Sequence, residues 1–485
     1  MTSILGIVLA LALLIVLAYR GISVLLLAPL MALLAVLFSA DAPLLASYTQ
    51  VFMPALGSFV IAFFPLFLLG AVFGKLMEAS GAAQVIAHAI VTALGSGRAI
   101  LAIVLACAVL TYGGVSLFVV AFAVYPIAAA LFRQADLPKR LIPATIALGA
   151  FTFTMSALPG TPAIQNAIPM PFFGTTPFAA PGIGLLGGAL MLALGLLWLT
   201  RRAAAARARG EGYGQHEEAA LPVDPSAGLP SAAVKPAPAT RPGADASVAA
   251  GRAALACALA PVLLVIVLNY LLATWLLPAL DTAYLAEPRF GATDIASVRG
   301  LWAVVTALSA AIVLLIVLQR KRLDKLSDTL EQGASSSVLP LLNTASQVGF
   351  GAVIASLAGF ALIRDAVLGI APEYPLVSLS IAVNILAGVT GSASGGMTIA
   401  LRELGEHWLA MGQAAGIGPD LLHRVTAIAA GGLDALPHNG AVITLLGICG
   451  LTHRQSYADI FVVAVAIPLL ALVAVVLLGT AFGSF

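Results

Sequence analysis

Long uninterrupted apolar runs constrain this chain more than any other feature. Residues 3–18, 21–40, 182–199 and 461–482 contain no charged side chain. A helix needs about 20 apolar residues to cross a hydrocarbon core of about 30 Å, whereas membrane-spanning strands show only short alternating segments. The 485 residues are also 61% apolar and only 9% charged, against about 25% charged residues in soluble domains. We therefore predict an all-α polytopic membrane protein.

The remaining composition argues against several other classes of protein. Cys107, Cys257 and Cys449 lie in apolar segments without zinc-type spacing, so we expect no metal site, no disulfide framework and no cofactor. Neither the nucleotide-binding pattern G-x-x-x-x-G-K-[ST] nor the metalloprotease pattern H-E-x-x-H occurs. The net charge of +2 does not indicate a nucleic-acid partner. The N-terminal run lacks a basic leader and a cleavage site, so we interpret it as a retained span.

One long segment differs from the rest in composition. Residues 203–250 are rich in Ala, Pro, Gly and charged side chains and have no apolar periodicity. This composition is typical of a flexible linker, here predicted to be cytoplasmic. It separates a first transmembrane domain, residues 1–202, from a second, residues 251–485. We expect a spacer, since nothing in the segment supports a regulatory role.

The two transmembrane halves resemble each other. GAVFGKLMEASGAAQVIA (70–87) aligns with GAVIASLAGFALIRDAV (351–367). Each is followed by a glycine-containing run, LTYGGVS (110–116) or VTGSASGGM (389–397), and then by a Leu-Pro break in an apolar segment. Landmarks in the same order favour an internal duplication over chance similarity between leucine-rich segments.

Each half contains five predicted crossings. They are 2–18, 21–40, 53–74, 141–175 and 182–200 in the first copy and 253–279, 300–319, 336–356, 420–450 and 457–481 in the second. Because five is odd, the second copy enters the membrane from the opposite side. The sequence therefore predicts two inverted-topology repeats of five spans, a design that recurs in secondary transporters.

Each copy also contains a segment too short to cross. Between Arg98 and Gly113 there are only about 13 apolar residues, fewer than a crossing requires. We predict a re-entrant helical hairpin here, with its tip at TYGGVS, and a counterpart at about 374–413 with its tip at GSASGG. The Leu-Pro breaks predict one broken helix per copy.

Lysine and arginine are unevenly distributed, which predicts the orientation. If the first span runs from outside to inside, most basic residues lie on the cytoplasmic side: Arg20, Lys75, Arg98, Arg133, Lys139, Arg140, Arg201, Arg202, Arg320, Lys321, Arg322, Lys325 and Arg454. The basic residues left outside are Arg289, Arg299, Arg364, Arg402 and Arg424. Both termini are then periplasmic.

The hairpin tips are suited to binding an organic anion. Glycine permits close approach, Ser and Thr hydroxyls donate and accept hydrogen bonds, and helix N-termini carry positive partial charge. The candidate substrate-binding residues at the tips are Thr111, Tyr112, Gly113, Gly114 and Ser116 in the first copy and Gly391, Ser392, Ser394, Gly395 and Gly396 in the second. Helix packing is the alternative for such small residues, but their occurrence in both copies favours a binding site.

The breaks add further polar groups. LPGTPAIQN supplies Gly160, Thr161 and Asn166, and LPHNG supplies Asn439 and Gly440, as candidate substrate ligands. One helical turn separates Asp434 from His438. Ionisable residues inside a membrane segment suggest a function, and histidine titrates near neutrality, so we predict that this pair couples proton movement. A structural hydrogen bond is the alternative for each.

At these motifs the sequence resembles the gluconate permease (GntP-type) family of the ion transporter superfamily. The resemblance extends over the chain outside the linker and is carried by LTYGGVSLFVVAFAVYPIAAALF (110–132), LPGTPAIQNAIPMPFFGTTPFAAPG (158–182), GSASGGMTIAL (391–401) and LPHNGAVITLLGICGLTHRQSY (436–457). It implies proton-coupled uptake of gluconate or a related hydroxy-carboxylate through the bacterial inner membrane by a homodimer. Members for hydroxybutyrate or citrate leave the substrate open.

Three functional hypotheses follow. The leading one is a secondary active transporter, not an enzyme, that binds a small organic anion between tips and breaks and couples to H⁺ or Na⁺. The second is an intramembrane hydrolase with Ser394 as nucleophile and His438 as base, which would give the duplication no purpose. The third is a passive channel, which would not accumulate its substrate.

Overall fold

The structure is a computed structural model that describes residues 2–20, 22–39, 42–214, 244–371, 373–437 and 439–485. Regular structure in these ranges is helical throughout. The helices of the first half are α1 (Thr2–Tyr19), α2 (Val24–Leu37), α3 (Leu44–Ala79), α4 (Ala82–Leu94), α5 (Ala99–Tyr112), α6 (Leu117–Gln134), α7 (Ile142–Ala150), α8 (Ile164–Ala167 with Pro169–Phe173) and α9 (Pro181–Ala208). Those of the second half are α10 (Gly251–Ala279), α11 (Ile295–Arg322), α12 (Leu326–Ser356), α13 (Ala358–Gly369), α14 (Pro375–Thr390), α15 (Ala393–Ala414), α16 (Pro419–Ala430), α17 (Gly440–Cys449) and α18 (His453–Phe482).

The predicted class, an all-α polytopic membrane protein, is confirmed. Within the described ranges, 7 helices are long and apolar enough to cross a membrane, namely α3, α6, α9, α10, α11, α12 and α18. A further pair, α4 and α5, is bent by 101° at its junction, as a broken or re-entrant span would be. The predicted crossing at 21–40 contains only the 14 residues of α2, which starts at the Ser23 cap and rises about 21 Å.

The two halves repeat the same order of long, short and broken helices, so that α1 to α9 correspond to α10 to α18. Corresponding contacts also recur across the halves: α2 packs on α12 as α11 packs on α3, and α4 packs on α10 as α13 packs on α1. The early helices of each copy therefore pack on helices of the other copy.

Equivalent helices of the two copies run antiparallel. A Cβ on Gly333, early in α12, would touch Val72, late in α3, whereas one on Gly349 would touch Phe52. In the second pair, Trp198 of α9 donates from Nε1 to Asp459 at the start of α18 (3.1 Å), whereas Gly187 lies against Val475 further along. Because the corresponding spans point in opposite directions, the repeat is inverted, as predicted.

The two predicted hairpins are present. Helix α5 has 14 residues, about 21 Å in length, and turns back into α6 at Gly113 and Gly114. Helix α14 has 16 residues and ends at Thr390, and Gly391 caps it in the left-handed conformation at φ 62°. Both hairpins therefore have a first helix shorter than the hydrocarbon core.

Both predicted breaks are present as well. Helical structure stops after Ser156 and resumes at Ile164, with Gly160 at φ +82° in between. In the second copy α16 stops at Ala430 and α17 begins at Gly440. Proline explains the interruptions, because it removes a helix hydrogen bond and clashes with the preceding turn.

The first residues of the segment predicted to be a linker are helical. Helix α9 continues to Ala208, and the short stretch after it packs back on the α6–α7 loop, where the Tyr213 amide donates to Asp136 (3.0 Å). Most of the segment 203–250 lies outside the described residues.

Candidate functional site

The first tip lies on the first break. The Tyr112 hydroxyl donates to the carbonyl of Pro159 (2.6 Å). Gly114 has φ +93°, and a Cβ there would approach Cγ of Pro162 to 3.0 Å, so only glycine fits without strain. Tip 1 (Thr111–Ser116) and break 1 (Leu158–Pro162) of the same copy thus form one surface.

The backbone of break 1 is held by hydrogen bonds from three sides. The Gly160 amide donates to Pro177 O (2.8 Å), and Asn269 of α10 donates to Gly160 O (3.1 Å). Asn166 donates to Thr161 O (3.0 Å) and to Pro177 O (3.0 Å). Irregular backbone at membrane depth requires such partners.

The second tip lies on the second break in the same way. Asn439 donates from Nδ2 to Gly391 O (3.0 Å). Its Oδ1 accepts from the amides of Ala441 and Val442 (2.6 and 3.1 Å), so one side chain both caps α17 and binds the tip. Tip 2 (Gly391–Gly396) and break 2 (Gly431–Asn439) therefore also form one surface.

Tip 2 contains a cluster of hydroxyl groups. Ser392 caps α15 by accepting from the Gly395 amide (3.2 Å). Its hydroxyl also lies 3.3 Å from that of Ser394. The Ser394 hydroxyl in turn lies 3.4 Å from the hydroxyl of Thr344 on α12. Gly396 packs directly on the backbone of Ala387 in α14, which closes the hairpin.

The predicted binding residues thus fall into two groups, one per copy. The buried members are Thr111, Gly113, Gly160, Thr161, Asn166, Ser394, Gly395, Gly396 and Asn439, and the partly buried ones are Tyr112, Gly114, Ser116, Gly391 and Ser392. Gly440 is exposed. Ser116 lies beside Gly74 of α3. The two groups approach each other through their neighbours, because α8 packs on α15 and α6 packs on α17.

The predicted proton-coupling pair is described only in part. Asp434 lies in the short turn Leu433–Ala435 of break 2 and is half-buried. His438 lies outside the described residues. Two backbone carbonyls between Asp434 and His438 contact α18. Tyr457 donates to Ala435 O (3.1 Å), and His453 Nε2 lies 2.9 Å from Pro437 O.

Sequence reasoning counted Arg424 among the basic residues of the outer side, and the structure shows that its side chain is fully buried. Its guanidinium donates to Asn166 Oδ1 (3.0 Å), Pro177 O (3.0 Å) and, twice, Ala179 O (3.0 and 2.8 Å). Arg424 therefore holds the loop after break 1 from the second copy. Arg424 is the fifth residue of the predicted crossing 420–450, and a charged residue inside a crossing was the available signal in the sequence.

His423, beside Arg424 in α16, completes this network. Its ring nitrogens lie 2.6 Å from Thr175 Oγ1 and 3.1 Å from Asn166 Oδ1. The amide nitrogen of Asn166 donates two hydrogen bonds and its oxygen accepts two, so the side chain has no hydrogen-bonding capacity left. Asn166 therefore positions break 1 instead of offering a free group to a ligand.

Charged groups near the ends of three helices form a second network. Arg140 contacts Asp459 of α18 (3.0 Å) and Glu211 after α9 (2.6 Å), and Arg202 also contacts Asp459 (2.8 Å). The hydrogen bond from Arg140 holds the pKa of Glu211 below its usual range. This network joins the starts of α7 and α18 to the end of α9. Within the described residues, no group of three or more His, Cys, Asp or Glu side chains is placed to hold a metal ion.

The comparison with models of known protein families found no match. The chain is 46% identical over 464 residues to a protein of Bacillus subtilis (strain 168) named "Uncharacterized transporter YxjC", and the alignment covers 94% of both proteins. Identity at this level over nearly the whole of both chains implies common descent and a common fold. The chain is therefore a multi-pass membrane transporter that belongs to the family of the Bacillus subtilis protein YxjC.

Proposed function

We propose that this transporter is a secondary active permease that takes up a small hydroxy-carboxylate, such as gluconate, by proton symport. The observation that carries the proposal is the pairing of a hairpin tip with a helix break in each of two inverted copies. Secondary transporters bind their substrates where discontinuous helices of inverted repeats meet. The resemblance to gluconate permeases supports the same conclusion.

Helix packing supports a division into a mobile unit and a scaffold. The long antiparallel pair α3 and α12, with α2 and α11 packed on it, forms one body of the molecule. The hairpins and broken helices would form the other, because α5 packs on α7 and α14 packs on α16. Movement of the second body against the first would expose the substrate alternately on the two sides of the membrane.

The chemistry of the two surfaces supports an anionic substrate. The buried Arg424 guanidinium donates its hydrogen bonds to amide and carbonyl oxygens of the described residues, which do not neutralise its charge. Asn166 links this cation to Thr161 of break 1. A carboxylate bound near break 1 would therefore be favoured electrostatically.

We assign proton coupling to Asp434 and His438, which lie in break 2. A proton on either residue would offset the charge of the incoming carboxylate during movement of the binding unit. By the positive-inside pattern, the transporter would lie in the bacterial inner membrane with both termini in the periplasm. The family resemblance supports a homodimer.

Transport into proteoliposomes tests this function. Purified protein is reconstituted and the uptake of labelled gluconate, 3-hydroxybutyrate and citrate is measured under an imposed pH gradient or an imposed sodium gradient. Accumulation above the external concentration that depends on the pH gradient is expected. Accumulation driven by sodium alone would show that the transporter couples to sodium and not to protons. Equilibration without accumulation would indicate a channel.

Substitutions in break 2 test the coupling separately. Asp434→Asn and His438→Gln are expected to abolish uphill uptake and to retain exchange of labelled for unlabelled substrate, because exchange requires no net proton transfer. Undiminished accumulation by both variants would contradict the assignment.

A further inference from the structure

A buried side chain beside tip 2 has an unused hydrogen-bonding atom. Gln347 lies on α12 and is only 4% exposed. Its Nε2 donates to Thr390 O at the end of α14 (3.1 Å). Its Oε1 is buried and accepts no hydrogen bond from the described residues. An unsatisfied buried acceptor is costly, so such an atom calls for an explanation.

The bond to Thr390 fixes which end of the amide is free. A carbonyl oxygen accepts hydrogen bonds and cannot donate them, so the group facing Thr390 O must be the NH₂ of Gln347. The free atom is therefore an oxygen, which requires a donor. A carboxylate, which only accepts when ionised, cannot satisfy it.

The free oxygen points at the first turn of α15. A Cβ on Gly395 would collide with Gln347 Oε1, so glycine at this position leaves the oxygen against the helix start. The hydroxyls of Thr344 and Ser394 lie 3.4 Å from each other. Thr344 precedes Gln347 by three residues on α12, and Ser394 precedes Gly395 on α15. Helix α15 has 22 residues. The amides of Gly395 and Gly396 donate to Ser392, whereas those of Ala393 and Ser394 have no acceptor within the helix.

This setting favours a hydroxyl group as the ligand over a cation. A hydroxyl donates one hydrogen bond and accepts others, so it matches an acceptor oxygen beside helix amides and serine and threonine hydroxyls. A cation would instead meet the positive end of the α15 dipole. Among the described residues, the neighbours named above are all uncharged.

We infer that Gln347 recognises a hydroxyl group of the substrate at tip 2, with Thr344 and Ser394 as its neighbours. This inference rests on the proposed function. The hydroxyl donates to Gln347 Oε1 and accepts from the first turn of α15, while the carboxylate of the same molecule lies toward break 1. The tip is closed over the oxygen here, so α15 must shift from α12 to admit the ligand. Gln347 is then a specificity-determining residue, which distinguishes hydroxy acids from acids without the hydroxyl.

Matched pairs of acids test the inference on the purified full-length protein. Thermal unfolding is followed with 3-hydroxybutyrate against butyrate and with malate against succinate, in choline chloride and in sodium chloride. For the natural protein, we expect the hydroxy acid of at least one pair to stabilise at about tenfold lower concentration than its partner. In Gln347→Met the two acids are expected to stabilise at nearly the same concentration.

Two further variants keep the test interpretable. Gln319→Met removes another buried amide, 5% exposed at the end of α11, and should preserve the tenfold preference. Thr344→Val leaves Gln347 in place and should weaken the preference, which provides a second test if Gln347→Met does not fold. The unliganded Gln347→Met protein should unfold near the natural temperature, since it loses one hydrogen bond together with one unsatisfied oxygen.

The outcomes separate this inference from the proposed function. If Gln347→Met and Thr344→Val keep the preference for hydroxy acids, the inference is overturned while uptake of organic acids stands. If these variants lose stabilisation by sodium and keep the preference, the ligand of Gln347 is a cation, which also overturns it. If no acid stabilises the natural protein, the proposed function fails and the inference fails with it.

Discussion

Arg424 shows how one residue connects the two copies. A buried guanidinium that forms several hydrogen bonds presents a planar set of donors that lysine cannot reproduce. From α16 in the second copy it reaches the loop that follows break 1 in the first. Its role is to hold that loop in place, and its side chain is too deeply buried to act at a surface.

Arg424→Lys should therefore destabilise the protein. An ammonium group leaves at least one of the carbonyls of Pro177 and Ala179 without a partner, at a cost of about 3 kcal/mol. Thermal unfolding in detergent measures the loss. Arg201→Lys, an exposed position on α9, is the control and should change little. Equal midpoints for Arg424→Lys and the natural protein would contradict the role.

Gly396 sets the separation of the two helices of the second hairpin. A Cβ there would meet the backbone of Ala387, which cannot move aside as a side chain would. Gly396→Ala should therefore separate α14 from α15, lower the unfolding midpoint and abolish uptake. Gly70→Ala is the control, because a Cβ at Gly70 meets nothing within 4 Å, and alanine favours a helix by about 1 kcal/mol. Normal uptake by Gly396→Ala would exclude a tightly closed hairpin.

At the scale of elements, tip 1 is joined to break 1 by the Tyr112 hydroxyl. Tyr112→Phe removes its hydrogen bond to Pro159 O and keeps the ring. We expect a loss of about 1 kcal/mol in stability and slower uptake, because hairpin and break no longer move together. Tyr374→Phe, at an exposed tyrosine before α14, is the control. The prediction fails if uptake rates of the two variants are equal.

The ion pair between Arg140 and Glu211 makes the free energy of unfolding depend on pH. Arg140 lowers the pKa of Glu211 in the folded protein. The contribution of Glu211 is therefore complete above its unfolded pKa of about 4.3 and is lost as the pH falls through the folded pKa. Glu211 is 36% exposed, so the effect should be at most about 1 kcal/mol.

Unfolding midpoints measured between neutral pH and about pH 3 test this dependence. They should fall less steeply in Glu211→Gln than in the natural protein. Glu373→Gln, at an exposed glutamate, should leave the slope unchanged. The same slope in Glu211→Gln as in the natural protein would show that Arg140 does not stabilise this carboxylate.

Whole-molecule features differed in how far the sequence predicted them. Run lengths, glycines and prolines act locally on the backbone, so hairpins, breaks and the inverted repeat were predictable. The partners of Arg424 and Gln347 were not, because those contacts join residues distant in the chain and depend on how the copies pack. The polar run NTASQ (343–347) inside an apolar helix was the available signal for Gln347.

Inverted topology places equivalent loops on opposite sides of the membrane. Arg98, between α4 and α5, and Glu373, between α13 and α14, are exposed in corresponding loops. In a chain whose native cysteines are replaced by alanine, Arg98→Cys should react with a membrane-impermeant maleimide only in inside-out vesicles, and Glu373→Cys only in intact spheroplasts. Retained uptake by each variant shows that the fold is intact. Labelling of both cysteines from the same side would disprove the inverted arrangement, and labelling of each from the unexpected side would reverse the predicted orientation while leaving the inversion in place.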